Sequence, residues 1–316
     1  MGGIGRSSGK LILFGEHAAV YGHPAVGMSL PEGTTVRLGA MMPEWGLDSI
    51  PREDRDGVRE ILSGLEKAIP GLTSHGRCAV QIESAVARKA GFGSSAALCG
   101  AFARAALAHA GAGEEIDGEV IRAWELAHDA ERIFHGTPSG VDTGLSLLGG
   151  MCVLRPRPRG LPAYRRVPGS ALHLVVGAVP RDAACAALVG GLAVRVKSGD
   201  KRARASIDTL GGIAAEAAHG LQSGAPRIVE VLGDLAGRAM DQLRSLGLST
   251  PELDRLLETA GAAGSLGGKL SGAGGGGAFF AIARDKPSAL LIVSRLEAVA
   301  AEAGIVLTVP PRVILA

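Results

Sequence analysis

Short apolar runs interrupted by glycine dominate the first third of the chain. Residues 11–14 form an uninterrupted apolar run, which is typical of a buried strand. Residues 34–38 and 78–82 have the composition of strands as well. Glycines at positions 15 and 22 punctuate the chain directly after the first run. The pattern therefore predicts a β-rich beginning whose first strand ends in a glycine turn.

The next hundred residues change to helical periodicity. Residues 96–110 are rich in alanine and stop at Gly111, which predicts a helix. A second helix is expected over residues 115–132, because Val120, Trp124 and Ala127 recur on one face. Glu131 continues that apolar face. A carboxylate in such a position needs a cation, a metal or hydrogen-bond donors as its partner.

The second half of the chain mixes strands and helices. The stretch 155–168 is rich in proline and arginine, and we expect a solvated domain boundary there. A strand is expected at 172–179, two or three helices between 183 and 262, a strand at 278–283, a helix at 287–303 and a closing strand at 305–309. This order predicts an α+β fold with mainly antiparallel sheets.

Composition excludes several classes of protein. The 316 residues carry a net charge of +2 and only 3% aromatic residues, so we expect no nucleic-acid partner. No apolar run reaches the roughly 18 residues that a membrane span needs. The four cysteines are far apart and form no CxxC pair, which disfavours a disulfide framework or structural zinc. We expect a soluble, cytoplasmic protein.

One glycine-serine turn precedes the alanine-rich helix, with the sequence Gly91-Phe92-Gly93-Ser94-Ser95-Ala96. It matches a variant of the dinucleotide-binding fingerprint, but that site needs a strand after the helix. Another predicted helix follows instead. A phosphate cradle explains the turn better, because free amides and the helix dipole favour an anion. The P-loop pattern GxxxxGK[ST] is absent from the sequence.

Three further segments combine polar residues with glycine. Lys10 begins the first apolar run, which ends in Gly15-Glu16-His17. Two carboxylates, Glu131 and Asp142, flank a turn, so that one is suited to hold magnesium and the other to deprotonate a hydroxyl. The segment 269–277 contains six small residues, which predicts close approach of the backbone to a ligand. Alone, each segment also has a purely structural interpretation as polar residues flanking a strand, a helix cap or a plain loop.

The order of these segments resembles the GHMP kinase superfamily. Residues 10–27 are similar to its N-terminal motif, 91–97 to its nucleotide motif and 269–277 to its C-terminal glycine-rich motif. Residues 15–22 and 135–142 are similar to the mevalonate kinase branch. The resemblance implies a two-domain α+β fold, with domains at 1–165 and 166–316. ATP would lie in the cleft between them.

The resemblance also implies roles for individual residues. Asp142 would be the catalytic base with Lys10 beside it, and Ser95 and Glu131 would hold Mg²⁺. The acceptor would be mevalonate, phosphorylated by ATP on its primary hydroxyl. The ATP-binding residues would be Gly91, Phe92, Gly93, Ser94, Ser95 and Ala96. The residues near mevalonate would be Glu16, His17, Ser139, Gly140, Gly272 and Ala273.

The sequence departs from the family pattern in ways that leave the acceptor open. Ala87 replaces a proline that is usual before the nucleotide motif, and Ala183 replaces a threonine expected near the substrate. A sugar, homoserine or phosphorylated mevalonate is the alternative acceptor. A non-catalytic member is disfavoured, because the expected base, lysine and magnesium ligand are all present. A homodimer is one of the assemblies that the sequence allows. The cations available for a phosphorylated acceptor are Arg88, Lys89, Arg181 and Arg195.

Overall fold

The fold consists of two antiparallel sheets, each covered by helices, which confirms the predicted α+β class. A computed structural model describes residues 2–74, 76–111, 116–135, 138–167, 172–181 and 191–316. Within those ranges no helix is both long and apolar enough to cross a membrane. Three of the four cysteines, Cys78, Cys99 and Cys152, are in the described ranges, and all three are free thiols.

The first sheet contains five strands and is built around one long strand. Its strands are β1 (Gly3–Phe14), β2 (Ala25–Met42), β3 (Arg77–Ser84), β4 (Met151–Arg155) and β5 (Ala163–Arg166). Strand β2 pairs with β1 along one side and with β3 and β4 along the other. This order leaves β1 at the edge of the sheet. The helices of this half are α1 (Arg55–Ala68), α2 (Ser94–His109), α3 (Ile116–His135) and α4 (Val141–Leu148).

The second sheet has the strand order β7, β8, β6, β9. Its strands are β6 (His173–Val179), β7 (Gly267–Leu270), β8 (Gly277–Ala283) and β9 (Val309–Leu315). Its helices are α5 (Lys201–Ser223), α6 (Ile228–Ser245), α7 (Pro251–Ala262) and α8 (Lys286–Ala303). Side chains of Asp200, Thr250 and Asp285 cap the N-termini of α5, α7 and α8 by accepting backbone hydrogen bonds.

The two halves share one hydrophobic core across their junction. Leu13 and Phe14 of β1 belong to the same buried cluster as Val175 of β6 and Phe279 of β8. A second cluster lies entirely in the N-terminal half, beneath α1, α2 and α3. The first sheet ends at Arg166 and the second begins at His173, so the expected boundary after residue 165 lies inside β5 and stays a prediction.

Most of the predicted elements are present, with one error and several omissions. The closing strand expected at 305–309 is wrong, because β9 begins at Val309 and runs through Pro310 and Pro311. An edge strand tolerates proline, since one side of its backbone has no neighbour to bond. Helices α1 and α4 and strands β4, β5 and β7 were not predicted. Four of these are four to eight residues long, too short for a clear periodicity.

Candidate active site

The open edge of β1 is the platform on which the site is assembled. The Lys10 backbone amide donates to the Phe92 carbonyl at 2.8 Å. The Ser271 hydroxyl donates to the Ile12 carbonyl at 2.8 Å and accepts from the Ile12 amide at 3.1 Å. Both glycine-rich loops, one from each half of the chain, therefore bond to adjacent positions of a single strand edge. These bonds cover an edge that would otherwise expose unpaired backbone groups.

The loop before α2 has the backbone geometry of an anion cradle. Gly91 and Gly93 have φ angles of 93° and 75°, a region that favours glycine. A Cβ at Gly93 would lie 2.6 Å from Cγ of Lys10, so the lysine stem lies directly against this loop. Helix α2 begins at Ser94, and within the described chain no side chain caps it. Its first amides and the helix dipole are available to a phosphate.

The second glycine-rich loop connects β7 to β8 and is held by close backbone packing. Gly274, Gly275 and Gly276 all have positive φ angles. A Cβ at Gly276 would lie 2.1 Å from the Pro180 carbonyl oxygen, which no larger residue tolerates. The guanidinium of Arg181 lies against this loop and against Gly91, since an added Cβ at Gly91 would be 3.2 Å from Arg181 Nη2. One cation thus contacts both loops.

Lys10 and Asp142 form an ion pair that opens onto the cleft. Lys10 Nζ lies 3.1 Å from Asp142 Oδ2, and the side chains are 5% and 34% exposed. Asp142 is the second residue of α4, directly after a left-handed Gly140. The Gly140 carbonyl accepts from the Trp124 indole nitrogen at 3.0 Å, which fixes the turn that carries Asp142. The pair combines a buried cation with a carboxylate that a substrate is able to reach.

Glu131 is a buried carboxylate beside this pair. Burial, and next the charge of Asp142, raise the pKa of Glu131 to about 8, while Lys10 lowers it. Its Oε1 is buried, and in the described chain it has no hydrogen-bond partner. A buried oxygen without a partner next to a second carboxylate suits a divalent cation, so the residues present fit magnesium. The described residues contain no cluster of three or more His, Cys, Asp or Glu ligands. That agrees with Mg²⁺, which is usually bound by one or two carboxylates together with substrate phosphates.

Ser95, the other expected magnesium ligand, lies in the first turn of α2. Its hydroxyl lies 3.2 Å from Nε2 of His135 at the end of α3. Glu131 is one turn earlier on the same helix. The first turn of α2 and the last turns of α3 therefore carry both expected magnesium ligands into one region.

Glu16 and His17 follow β1, but they face different surroundings. The Glu16 carboxylate is 2% exposed and accepts a hydrogen bond from Lys269 Nζ. His17 is half-buried with φ 59°, and burial lowers its pKa to about 4, although the Ala273 backbone favours its charged form. Both residues line the cleft, His17 as a neutral imidazole and Glu16 as a carboxylate held by Lys269 of the C-terminal half.

A cleft of about 900 Å³ collects most of the sequence-predicted residues. The predicted residues that line it are Lys10, Glu16, His17, Gly91, Gly93, Ser94, Ser95, Glu131, Ser139, Asp142, Gly272 and Ala273. Phe92, Ala96 and Gly140 are buried behind its wall. None of the three lines the cleft, so any contact with ligand would come from the backbone.

Several residues of the site were not predicted from the sequence, and one predicted position lies outside the described residues. Lys269 and Ser271 received no role from the sequence, although a lysine inside an apolar and glycine-rich segment was a usable signal. His135 lies in the motif at residues 135–142 and had no predicted role of its own. Ala183, the departure from the family threonine, lies outside the described residues. Nothing in the structure therefore bears on that substitution.

Comparison with known proteins agrees with this geometry. Residues 58–150 match the family model "GHMP kinases N terminal domain" and residues 228–302 match "GHMP kinases C terminal". The chain is 29% identical to the mevalonate kinase of Thermococcus onnurineus over 309 residues, covering 88% of each chain. It is 29% identical to that of Aeropyrum pernix over 294 residues, covering 85% of each.

Solved structures resemble the whole chain. The L. major mevalonate kinase in complex with R-mevalonate superposes with a TM-score of 0.76 at 25% identity, covering 100% of this chain and 94% of that one. The Streptococcus pneumoniae phosphomevalonate kinase gives 0.75 at 16% identity, covering 99% and 100%. At that identity the second match shows the fold alone. Family models, relatives and cleft agree, and this chain belongs to the GHMP kinase family of ATP-dependent small-molecule kinases.

Proposed function

We propose that this kinase is a mevalonate kinase, which transfers the γ-phosphoryl group of ATP to the 5-hydroxyl of (R)-mevalonate. The products are 5-phosphomevalonate and ADP. The observation that carries the proposal is the Lys10–Asp142 pair at 3.1 Å, which lies in one cleft with the phosphate loop and His17. The similarity to mevalonate kinases along most of the chain supports this choice of acceptor.

The proposed chemistry assigns the proton transfer to Asp142. Its carboxylate accepts the proton of the 5-hydroxyl as the hydroxyl oxygen bonds to the γ-phosphorus. The bond from that phosphorus to the β–γ bridging oxygen breaks, and ADP leaves with the electron pair. Lys10 stabilises the negative charge that develops on the attacking and transferred oxygens. Phosphoryl transfer depends mainly on such positioning and charge stabilisation.

The nucleotide phosphates are assigned to the loop 91–95 and the first amides of α2. Glu131 and Ser95 would hold Mg²⁺, which when bound supplies positive charge to the phosphate oxygens. Because Glu131 is buried and its pKa is raised, it holds a proton near neutral pH in the metal-free protein, and binding a cation requires that proton to leave. Arg181, between the two loops, supplies a fixed positive charge on the same side.

The acceptor half of the cleft combines apolar walls with few polar groups. Ile12, Val20 and Leu192 line it together with the His17 imidazole. His17 Nε2 is buried, and among the described groups it has no hydrogen-bond partner. A short branched acid with one methyl group and two hydroxyls matches this combination, because it fills an apolar wall and offers partners to a buried imidazole.

A phosphorylated acceptor is the second candidate, and one observation favours it. Lys89, with φ 59°, and Arg181 both line the cleft, so two cations are present besides Lys10. If the nucleotide phosphates do not contact both Lys89 and Arg181, one of these two cations is available to bind an acceptor phosphate. The structural similarity to a phosphomevalonate kinase at 16% identity is limited to the fold and does not decide between the two.

The test is ADP release by the purified protein with Mg-ATP and (R)-mevalonate, followed by phosphorus NMR of the product. Turnover to a monophosphate ester of the primary hydroxyl is the expected result. Phosphomevalonate, galactose and homoserine are assayed in parallel, with Asp142→Asn as the inactive control. A clear preference for one of these three acceptors, with mevalonate unreactive, would refute the proposal and identify the alternative.

A further inference from the structure

A second lysine–carboxylate pair lies at the wall of the cleft. Glu16 is expected near the acceptor, whereas its partner Lys269 has none of the roles assigned above. Lys269 is on β7 in the C-terminal half, and its side chain is completely inaccessible to solvent. Its ammonium group donates to the Glu16 carboxylate of the N-terminal half and to the Leu270 carbonyl at 2.7 Å. It also lies 5.3 Å above the ring of Phe280. A fully buried ion pair therefore joins the two halves directly at the Gly15–His17 turn.

Neither member of this pair is stable in its charged form alone. Burial raises the pKa of Glu16, and the charge of Lys269 is the largest influence that lowers it. Burial likewise lowers the pKa of Lys269, and Glu16 raises it. Removing one partner from a buried pair leaves an uncompensated charge, whereas replacing both by neutral groups of similar size is often tolerated. The position of the Gly15–His17 turn therefore depends on an intact pair between Lys269 and Glu16.

The turn that Glu16 anchors is one the backbone does not favour by itself. His17 adopts φ 59° although it is not glycine, which persists only when surrounding contacts hold it. The next residues are held by two weaker contacts from α5. His23 lies 3.4 Å from Asp208, and the Arg204 guanidinium lies 5.6 Å from the Tyr21 ring, both at exposed or half-exposed positions. Lys269 supplies the one fully buried contact among these three.

We propose that Lys269 is a positioning residue for the phosphoryl acceptor. It acts through Glu16 and holds the turn, and with it the His17 imidazole, at a fixed distance from the Lys10–Asp142 pair. Glu16 also feels the charge of Lys10, so the sequence of groups Lys269, Glu16, Lys10 and Asp142 alternates in sign from the C-terminal half into the reacting centre. The inference rests on the proposed function only in that this turn faces the acceptor.

The proposal predicts an effect on the acceptor and little effect on the nucleotide. Lys269→Met removes the charge and keeps the length of the side chain. We expect kcat/KM for the acceptor to fall by about 100-fold, the loss that a displacement of about 1 Å causes. ATP is assigned to the separate loop 91–95, so its dissociation constant is expected to change by less than about threefold. Lys286→Met on the exposed surface is the matched control for removing a lysine charge.

Rescue by a second substitution separates positioning from simple loss of stability. Glu16→Gln in the Lys269→Met background leaves a neutral pair of similar volume. We expect it to recover at least about tenfold of the lost kcat/KM, because no buried charge then lacks a partner. An effect of Lys269→Met below about threefold, equal losses for acceptor and ATP, or a double variant no better than the single one would each overturn the proposal.

Two controls keep this test distinct from the test of the proposed function. All variants are assayed with whichever acceptor the wild-type protein phosphorylates best among mevalonate, phosphomevalonate, galactose and homoserine. Failure of mevalonate as acceptor thus refutes the proposed function and leaves the role of Lys269 under test. The His17 ring signals in NMR spectra of the nucleotide-free protein give a readout without turnover. They shift in Lys269→Met and return toward wild type in the double variant if the turn is positioned as proposed, and unchanged spectra contradict it.

Discussion

The two lysine–carboxylate pairs of this protein have the same chemistry and opposite surroundings. Lys10 and Asp142 meet at 3.1 Å at the wall of the cleft, where a third of the Asp142 side chain remains accessible. Lys269 and Glu16 also meet at this wall, but at most 2% of either side chain is exposed. Both pairs belong to motifs that are visible in the sequence. Only the first is open to a substrate, so burial divides the pair proposed to react from the pair proposed to support it.

The role that an ion pair is suited to depends on the free energy needed to separate its two charged groups. An accessible pair loses little free energy when one partner changes protonation or contacts a substrate, because water and the ligand compensate. A sealed pair loses several kcal/mol, so it remains in one state. The open pair is suited to proton transfer and the sealed pair to fixing geometry.

The largest expected effect is on the open pair. Asp142→Asn removes the proton acceptor and keeps the shape of the side chain. We expect kcat to fall by about a thousandfold, a typical contribution of general base catalysis. ATP binding, measured by calorimetry with Mg-ATP, is expected to persist. Activity near that of the wild type would show that Asp142 is not the base. The proposed division between a reacting and a supporting pair would then fail.

The second prediction compares the stability of the two pairs directly. Lys269→Met is expected to lower the free energy of unfolding by about 3–5 kcal/mol, because it leaves Glu16 buried without a partner. Lys10→Met is expected to cost about 1 kcal/mol or less, since Asp142 then turns to water. Urea denaturation of both variants measures the difference. Equal losses would mean that burial does not separate the pairs.

A third prediction concerns Glu131, the buried carboxylate beside the open pair. Its pKa is about 8 in the folded chain, against an ordinary value of 4.5. Between these values the folded state holds a proton that the unfolded state has lost, so stability falls as pH rises through this window. Glu131→Gln mimics the protonated form and avoids the loss. In EDTA, the free energy of unfolding of Glu131→Gln should exceed that of the wild type. This difference should increase by up to about 1.4 kcal/mol for each unit by which the pH is raised.

The measurement for Glu131 is urea denaturation of both proteins at several values between pH 5 and pH 8. The two curves should converge toward pH 5, because the unfolded state then begins to hold the same proton as the folded state. A constant difference at every pH would show that Glu131 titrates normally. It would then be an exposed or paired carboxylate and not a group kept neutral until a cation arrives.

The smallest expected effect tests the strand edge that joins both loops. Ser271→Ala leaves the buried amide and carbonyl of Ile12 without their bonds to the hydroxyl. We expect a loss of about 1–3 kcal/mol in unfolding free energy. Ser294→Ala, at an exposed position of α8, is a matched control and should cost less. Equal costs would mean that the contact between Ser271 and β1 contributes nothing to stability.

Hydrophobic patterning carried most of the fold prediction. The expected strands at 11–14, 34–38, 78–82, 172–179 and 278–283 all fall within or over strands of the two sheets. The helix expected at 96–110 is α2, and that at 287–303 is α8, to within two residues. Long periodic segments are predictable because their apolar face decides how they pack. The omitted elements are short or, like α1, amphipathic without a marked motif nearby.

The sequence by itself determined which residue types are present for the chemistry, and in which motifs. Glycine spacing indicated the phosphate loop, and Glu131 on an apolar helix face indicated a buried carboxylate, which the structure places at 2% exposure. These features are local, because the φ angle of a glycine and the face of a helix depend only on near neighbours.

The pairing of Lys269 with Glu16 depends on the tertiary structure, whereas the family resemblance had already implied Lys10 beside Asp142. Lys10 and Asp142 are 132 positions apart, and the Lys269–Glu16 hydrogen bond spans 253 positions. Burial of both members of one pair and accessibility of the Asp142 carboxylate in the other follow from how two sheets meet along the open edge of β1. No local pattern encodes that meeting, since it depends on the closing of the chain's two halves around a shared core.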